Sequence, residues 1–227
     1  MRSEVERIRR WYGDRALDPA IRARYAPFND QQVDSLCQQY RAIADLMRST
    51  GRLSLANLRI LDVGCGKGRF LRNCLDWGAL PEDLHGVDVH ADAIEEGLRR
   101  SPHIDLGVTN GIDLDFPDES FDLVTEFVVF SSIDDVDLRG RMAAEMQRVL
   151  RTGGYIFAWD LPSTRTPRRE DLDLQQLFAG MPKQSSLIAL HPRPSAGLRP
   201  RVRRALGWID RFAFPPTHQA TLFGPKR

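Results

Sequence analysis

The sequence predicts an α/β protein in which helices cover a mostly parallel β-sheet. Short apolar runs end in turn or acidic residues, and these runs are RILDVG, LHGVDV, HIDLGVT, FDLVTEFVVF and GYIFAWD. Helical segments lie between them, namely GRFLRNCLDWG, ADAIEEGLRR and DLRGRMAAEMQRVLRTGG, the last of which we expect to end at 151–154 on two glycines. Strands that alternate with helices at this spacing form βαβ units and hence a parallel sheet.

The regions on either side of these units differ from them. Residues 1–51 have helical periodicity, clearest in DQQVDSLCQQYRAIADLMRSTG, and predict an N-terminal helical cap that ends near Gly51. We assign 52–227 to the α/β domain. Within it, 161–211 is rich in proline and basic residues and is predicted to be a variable insertion on the acceptor side. The last two elements are expected at WIDRFAF and ATLFG.

The composition excludes several classes of protein. With 227 residues, 42% of them hydrophobic, the chain is long enough for one well-buried core. A formal net charge of +1 gives no reason to expect nucleic acid or an anionic membrane as a partner. No apolar run approaches the roughly 18 residues of a membrane span, and the start is charged, so we expect a cytoplasmic protein. The 3 cysteines have no zinc spacing, so no metal is expected, and the oligomeric state is left open.

The predicted ligand site lies at the carboxyl ends of the strands. In open parallel sheets, ligands bind outside these ends, near the point where the strand order reverses. GCGKG follows the first predicted strand, and its glycines serve either a tight turn or close approach of a ligand to the backbone. Asp88 ends the next strand, 24 residues after Gly64, where its carboxylate can accept from two ribose hydroxyls. A nucleoside ligand is therefore favoured.

The acid before the glycine loop separates two classes of nucleoside. A dinucleotide fingerprint has the spacing GxGxxG and directs a helix N-terminus at a pyrophosphate. Here the spacing is GxGxG, and Asp62 precedes it in the strand. A carboxylate so close to the loop disfavours a pyrophosphate and suits a ligand that carries an ammonium group.

Four blocks of sequence resemble the successive motifs of the class I S-adenosylmethionine-dependent methyltransferases. They are LDVGCGKGRFL, GVDVHADAI, LDFPDESFDLVTEF and EMQRVLRTGGYIFAWD, and they cover Leu58 to Asp160 in the order of the family. The resemblance implies a Rossmann-like, seven-stranded sheet that is parallel except for one strand. It also implies S-adenosyl-L-methionine as cofactor and S-adenosyl-L-homocysteine as product.

The resemblance assigns residues to the cofactor. The methionine part is expected beside Asp62 and the loop residues Gly64, Cys65, Gly66 and Gly68. The ribose and adenine are expected at Asp88, Val89, Asn110 and Gly111, and the methionine end continues along Glu126 and Phe127. Asn110 stands where the family usually has an aspartate that receives the adenine amino group, and its amide oxygen can accept the same hydrogen bond.

Methyl transfer needs chiefly alignment of two reactants and exclusion of water, so it requires no conspicuous catalytic motif. A hydroxyl acceptor would benefit from a general base, for which the candidates are Glu126, Asp160, His191 and His218. Each has an alternative: Asp160 can cap the following turn, and His218 can be a satisfied polar residue. We expect Ser131 or Ser132 to be the N-cap of the segment after them.

The residues that bind the acceptor must come from outside the four blocks. Tyr12, Tyr25 and Phe28 precede the sheet and are candidates for a lid over the cofactor, or for ordinary aromatic packing. Residues 165–211 hold ten lysines and arginines against four acids, which suits either an anionic acceptor or a solvated surface. TEFVVF after the fourth strand lacks the N/DPPY type of tetrapeptide, which disfavours methylation of nucleic-acid bases.

Three hypotheses therefore come from the sequence. The first is an enzyme that methylates a small molecule, with oxygen preferred to nitrogen or carbon, in secondary-metabolite or polysaccharide biosynthesis. The second is a catalytically silent S-adenosylmethionine-binding partner protein, because no catalytic residue is compulsory. The third is a nicotinamide-dinucleotide oxidoreductase, which would bind NAD and not S-adenosylmethionine.

Overall fold

A computed structural model describes residues 2–161, 172–188 and 218–227 of the chain. Seven strands form one sheet in this part of the chain: β1 Ile60–Val63, β2 Leu84–Asp88, β3 Asp105–Val108, β4 Phe121–Phe127, β5 Leu150–Asp160, β6 Lys183–Ile188 and β7 His218–Phe223.

The strand order of the sheet is β3-β2-β1-β4-β5-β7-β6. β1 to β5 are paired in parallel, and β7 runs antiparallel to both β5 and β6. The order along the chain reverses between β1 and β4, which are hydrogen-bonded neighbours. The mostly parallel, Rossmann-like sheet of seven strands is thus confirmed, and the crevice for a ligand lies beyond the carboxyl ends of β1 and β4.

Three helices precede the sheet: α1 Arg2–Leu17, α2 Pro19–Arg24 and α3 Asp30–Ser49. Asp18 caps α2 by accepting from the backbone of Ala20 and Ile21. After α3, Gly51 has φ 78°, and the Arg52 N–H donates to Met47 O, which is the glycine-terminated helix end that the sequence indicates.

Four helices follow within the α/β part of the described chain: α4 Arg69–Asp76, α5 Ala91–Arg100, α6 Val136–Val149 and α7 Leu174–Leu177. Short 3₁₀ turns occur at Pro81–Asp83 and Phe130–Ser132. None of the helices in the described ranges is long and apolar enough to cross a bilayer.

Both faces of the sheet are buried. Successive residues of one strand point to opposite faces, so Ile60 packs into the cluster with Leu71 of α4, and Leu61 into the cluster with Met146 of α6. All four side chains of β1 are buried, as expected for a central strand covered on both sides. The core therefore lies above and below β1 and fixes the strand ends that form the crevice.

Two features differ from the sequence-based expectation. The predicted end of α6 at 151–154 is wrong, because the helix ends at Val149 and β5 begins at Leu150. Gly154 instead lies against the neighbouring strand, where a β-carbon would come 2.9 Å from Asp122 O. The strand β6 was not predicted, and it lies within the segment assigned as an insertion. The predicted element WIDRFAF, at 208–214, lies outside the described residues.

Candidate active site

The glycine loop joins β1 to α4 and is attached to β2. The N–H groups of Gly64 and Cys65 both donate to Val87 O, at 2.8 and 3.0 Å. At Gly64, φ is 75° and an added β-carbon would lie 2.3 Å from Cγ2 of Val129. At Gly66, φ is 55° and an added β-carbon would meet no atom within 4 Å. The loop is therefore close-packed on the β4 side and open at its centre.

Asp88 fixes the open part of this loop. Its Oδ2 accepts from the Gly66 N–H at 2.7 Å, and its Oδ1 accepts from the His90 N–H at 2.8 Å. The carboxylate is buried, with 9% of the residue exposed. Each oxygen can accept more than one hydrogen bond, so both backbone contacts leave acceptor capacity for a further donor.

Asp62 lies deeper, beneath the loop. Thr125 is its register partner on β4, and the Thr125 hydroxyl donates to Asp62 Oδ1 at 2.8 Å. Burial raises the pKa of Asp62 from 3.8 to about 7; the Thr125 hydrogen bond lowers it and the charge of Asp88 adds to the rise. The group therefore changes charge near neutral pH.

Glu126, at the end of β4, is fully buried. Its Oε2 accepts from the Val129 N–H at 2.9 Å, whereas its Oε1 has no hydrogen-bond partner among the residues that the structure describes. Burial raises the pKa of Glu126 well above its usual range, and the negative charge of Asp160 adds to the rise. A buried acid with an unpartnered oxygen is costly unless a ligand supplies a donor or a positive charge.

Asp160 ends β5 and organises the neighbouring turns. Its Oδ2 accepts from the Ser131 N–H at 2.9 Å, and its Oδ1 accepts from the Leu161 N–H at 2.7 Å. The turn after Asp160 lies outside the described residues, so the capping alternative for Asp160 stays a prediction. The expected N-cap at Ser131 or Ser132 is wrong, because Asp135 caps α6 by accepting from the Leu138 N–H.

The four acids lie at the ends of four adjacent strands, β2, β1, β4 and β5. All four are buried: Asp62, Asp88, Glu126 and Asp160. Because like charges in a poorly solvated site repel one another, this edge of the sheet favours a cation. His218 begins β7 beyond β5, where its ring stacks on Trp159 at 5.5 Å between centroids.

The β2 and β3 end of the crevice contains a cavity of about 530 Å³. The residues that line it are Val5, Glu6, Arg9, Val89, Val108, Thr109 and Asn110. Asn110 Oδ1 accepts from the Ile112 N–H at 3.1 Å, and the Gly111 N–H donates to Thr109 Oγ1 at 3.4 Å. Two residues expected at the adenine, Val89 and Asn110, thus share one cavity.

Helix α1 lies across the crevice. On the β4 side, Arg7 donates to Ser132 O at 2.7 Å, and the Tyr12 hydroxyl is 2.8 Å from Ser132 Oγ. On the β2 side, Arg9 Nε donates to Val89 O at 3.0 Å, and the ring of Tyr12 meets that of His90 edge-on. Tyr12 therefore spans the two sides of the crevice.

The structure does not bring every predicted site residue into the crevice. Phe28 is 96% exposed and Tyr25 is 54% exposed, on the far part of the helical cap. The ring of Phe127 packs against Phe70 and Phe157 in the core. Cys65 is buried in the same core cluster.

Other residues of the site were missed from the sequence. Thr125 and Val129 hold Asp62 and Glu126, and Glu6 and Arg9 line the cavity. Only the block that contains TEFVVF offered a signal for the first two residues. His191 and most of the basic stretch 165–211 lie outside the described residues. Within the described ranges, no group of three or more His, Cys, Asp or Glu residues is arranged to hold a metal ion.

Comparison with known proteins finds similarity to methyltransferases. A family model described as a methyltransferase domain matches residues 61–158. The chain is 32% identical over 143 residues to "Probable methyltransferase PMT3" of Arabidopsis thaliana, an alignment that covers 63% of this chain and 22% of that protein. It thus spans about a fifth of the length of the plant relatives that it matches.

A bacterial relative and a solved structure agree with this match. The chain is 31% identical over 170 residues to phthiotriol/phenolphthiotriol dimycocerosates methyltransferase 1 of Mycobacterium ulcerans, covering 72% of this chain and 59% of that protein. The crystal structure of geranyl diphosphate C-methyltransferase from Streptomyces coelicolor, in complex with S-adenosyl-L-homocysteine, has a TM-score of 0.58 and 17% identity, covering 97% of this chain and 96% of that one.

The match to the family model runs from β1 into β5, and it includes the glycine loop and three of the four acids, Asp62, Asp88 and Glu126. The seven strands and the single antiparallel strand are those that the resemblance of the four sequence motifs implies. Residues 61–158 therefore match the methyltransferase domain family, and the chain shares its fold with a solved S-adenosylmethionine-dependent methyltransferase from Archaeoglobus fulgidus.

Proposed function

We propose that this chain binds S-adenosylmethionine in the crevice at the ends of β1, β2 and β4 and transfers its methyl group to a small molecule. One observation carries the proposal: a glycine loop that is open at Gly66 lies among four buried acids and beside a cavity of about 530 Å³. This combination offers acceptors and space to a nucleoside that carries positive charge.

The nucleoside half fits the β2 and β3 end. Asp88 retains acceptor capacity for the ribose hydroxyls, and Val89 offers an apolar contact for the adenine face. Asn110 borders the same cavity. The open backbone at Gly66 leaves space where a β-carbon would otherwise project.

The methionine half fits the β1 and β4 end. Glu126 Oε1, which has no partner among the described residues, and the buried Asp62 both gain from a nearby positive charge. When bound, the cofactor supplies a methyl group that its sulfonium already activates. The task of the chain is then to align an acceptor with that methyl group and to keep water out, which can be worth about 7 to 11 kcal/mol.

The acceptor is a small molecule that is methylated on oxygen. Glu126 is the candidate base, because its Oε1 has no partner among the described residues and, once a cationic cofactor offsets its burial, can accept the proton of an acceptor hydroxyl. Both oxygens of Asp160 already accept backbone hydrogen bonds, so it serves less well. The name of the mycobacterial relative, a phthiotriol dimycocerosates methyltransferase, supports a small acceptor. The basic residues of 165–211 support an anionic one.

Titration calorimetry with S-adenosylmethionine, S-adenosylhomocysteine and NAD tests the proposal. We expect both adenosyl ligands to bind and NAD not to bind; the reverse result would indicate the oxidoreductase. A second experiment separates an enzyme from a silent binder. Metabolite extracts are incubated with the protein and labelled cofactor, and mass spectrometry searches for a product in which one methyl group has replaced a hydrogen. Binding without any product would favour a partner protein.

A further inference from the structure

Tyr12 bridges the strand ends on either side of β1. Its ring meets the ring of His90, which follows β2, edge-on at 5.4 Å between centroids. Its hydroxyl lies 2.8 Å from Oγ of Ser132, in the turn that follows β4. Because the order of the strands here is β2-β1-β4, a side chain that contacts both neighbours lies across the carboxyl end of β1, where the glycine loop begins.

The hydrogen bond between Tyr12 and Ser132 has a defined direction. The Ser132 hydroxyl donates its single proton to Val128 O at 2.7 Å. Ser132 Oγ must therefore accept from the Tyr12 hydroxyl, which uses the only proton of Tyr12 Oη. No group in the described part of the chain donates to Tyr12 Oη. Its lone pairs are consequently available to a ligand.

The Tyr12 hydroxyl lies within electrostatic reach of acids from both sides of the crevice. Although 37% of Tyr12 is exposed, burial raises the pKa of its hydroxyl. The Ser132 hydrogen bond lowers this pKa, the charges of Asp88 and Asp160 add to the rise, and the charge of Arg15 has a smaller, opposite effect. The two acids end β2 and β5, so the oxygen adds its dipole to a region that already favours a cation.

Helix α1 holds Tyr12 in this position. On one side of β1, Arg7 donates to Ser132 O at 2.7 Å, and on the other side, Arg9 Nε donates to Val89 O at 3.0 Å. Both contacts are made to the backbone of the crevice. The Tyr12 oxygen is therefore presented by a helix that is attached at two points, which reduces the entropy lost when a ligand binds against it.

Buried polar atoms without partners adjoin Tyr12 on both sides. His90 Nε2 and Ser131 Oγ have no hydrogen-bond partner among the residues that the structure describes. His90 is the ring that Tyr12 contacts, and Ser131 precedes its hydrogen-bond partner Ser132. Such atoms are costly unless a ligand or an ordered water pairs with them. The region across which Tyr12 lies is thus suited to a polar ligand.

We propose that Tyr12 Oη stabilises the positive charge of the sulfonium and so makes the site prefer S-adenosylmethionine to its neutral product, an inference that rests on the proposed cofactor site. In that site the ribose lies at Asp88 and the methionine part at Asp62 and Glu126. The sulfur that joins these two parts then lies at the end of β1, opposite Tyr12. In the product the sulfur has kept the electron pair of the broken bond, so the attraction is lost with the methyl group.

Calorimetry with three ligands tests this role of Tyr12. S-adenosylmethionine carries a sulfonium, S-adenosylhomocysteine a neutral thioether, and sinefungin an ammonium group in place of the sulfonium methyl. Tyr12→Phe removes the oxygen and keeps the ring against His90. We expect this variant to bind the two cationic ligands about fivefold more weakly, because a favourable contact to a charged group is lost. Its affinity for S-adenosylhomocysteine should be unchanged.

Tyr25→Phe is the matched control. It makes the same substitution in the same helical cap, at a residue that is 54% exposed and lies outside the crevice. All three affinities should equal those of the unaltered protein, so the loss of a tyrosine oxygen elsewhere in the cap has no effect on the preference for charged ligands.

Three results with Tyr12→Phe would overturn the proposal. They are an unchanged affinity for S-adenosylmethionine, an equal loss for all three ligands, which would mean a merely structural role, and a loss for S-adenosylmethionine without one for sinefungin, which would mean a contact with the methyl group and not with the charge. If the unaltered protein binds none of the three ligands, the proposed function itself fails, which is a separate outcome.

Discussion

The two ends of the crevice differ in how deeply their charged and polar groups are buried. At the β1, β4 and β5 end, Asp62, Glu126 and Asp160 are buried, with 2% or less of each residue exposed. At the β2 and β3 end, Val89 and Asn110 border an open cavity, and the helix α1 that faces them contributes the exposed Glu6. One end thus concentrates carboxyl groups away from water, whereas the other leaves its polar groups accessible to water.

The contrast indicates how the fold divides recognition. Buried acids respond strongly to a positive ligand, because the desolvation that raises their pKa values is offset when the cation binds. A hydrated cavity discriminates by shape and by hydrogen-bond pattern, at little cost to the empty protein. Stability and affinity should therefore be coupled at the first end and separable at the second.

The largest effect is expected from a pair of glycine substitutions. Gly64→Ala should lower the free energy of unfolding by about 3 kcal/mol, because the new β-carbon overlaps Val129 and φ is positive. Gly66→Ala, at a similar φ but with no atom within 4 Å of the β-carbon, should cost about 1 kcal/mol. Urea unfolding measures both.

S-adenosylhomocysteine binding then separates packing from ligand contact at this loop. Gly66→Ala should weaken binding about tenfold despite its small effect on stability, because the alanine side chain projects into the space where the ligand is proposed to bind. If Gly64→Ala and Gly66→Ala lose the same stability, the close packing on the β4 side is refuted.

The second effect is the pH dependence of stability through Asp62. Between pH 3.8 and about 7 the folded protein holds a proton on Asp62 that the unfolded chain releases, so stability falls as pH rises through this window. Asp62→Asn should remove that fall, on the order of 4 kcal/mol across the window. Urea unfolding at pH 4.5 and 8 measures it in the ligand-free protein.

The exposed Asp76 provides the control for this effect. Asp76→Asn should leave the difference between the two pH values as it is in the unaltered protein. If the free energy of unfolding changed with pH equally in Asp62→Asn and in the unaltered protein, the raised pKa of Asp62 would be contradicted. A cationic ligand should restore part of the lost stability at pH 8 in the unaltered protein only.

The third effect concerns Asp88, which lies between the two ends. Asp88→Ala should weaken S-adenosylhomocysteine binding at least tenfold, about 1.4 kcal/mol, because the ribose loses its acceptor and Gly66 loses its tether. Calorimetry measures the change, and Asp92→Ala, an exposed acid in the first turn of α5, is the matched control. Unchanged affinity in Asp88→Ala would show that the nucleoside does not bind at Asp88.

The smallest effect is expected at the attachment of α1. The Glu4 carboxylate accepts from the Asp134 N–H, and the Arg7 guanidinium lowers the pKa of Glu4 to about 2, so this attachment to the segment before α6 persists until the pH falls toward that value. Glu4→Gln should reduce the hydrogen-exchange protection of α1 about fivefold, or about 1 kcal/mol. Glu95→Gln, which breaks the exposed pair with Arg99, should change the protection of α5 much less. Equal effects would show that α1 is not held by this contact.

The fold was predictable where local signals agree. The five apolar runs that end in acids or turns became β1 to β5, and Gly51 ended α3, because these features depend on periodicity and backbone conformation within a few residues. β6 was missed because KQSSLI has little apolar alternation and owes its conformation to pairing with β7. The end of α6 was misplaced because Gly154 is required by the neighbouring strand.

The site was predictable only in part, for a related reason. The acids at strand ends could be identified because parallel strands bring their carboxyl ends to one edge. The pairing of Thr125 with Asp62, and the unpartnered oxygen of Glu126, depend on the register of β1 against β4 and on burial from both faces. No spacing along the chain encodes either feature.

By itself, the sequence determined the alternation of strands and helices, the family motifs, and the loop and acids of the crevice, because each of these is encoded by a short segment of the chain. Only the tertiary structure decided which carboxylates became desolvated and which face of α1 lines the cavity. Desolvation and cavity shape are collective properties of groups that are distant in the chain, so they exist only after the sheet and the helical cap have packed together.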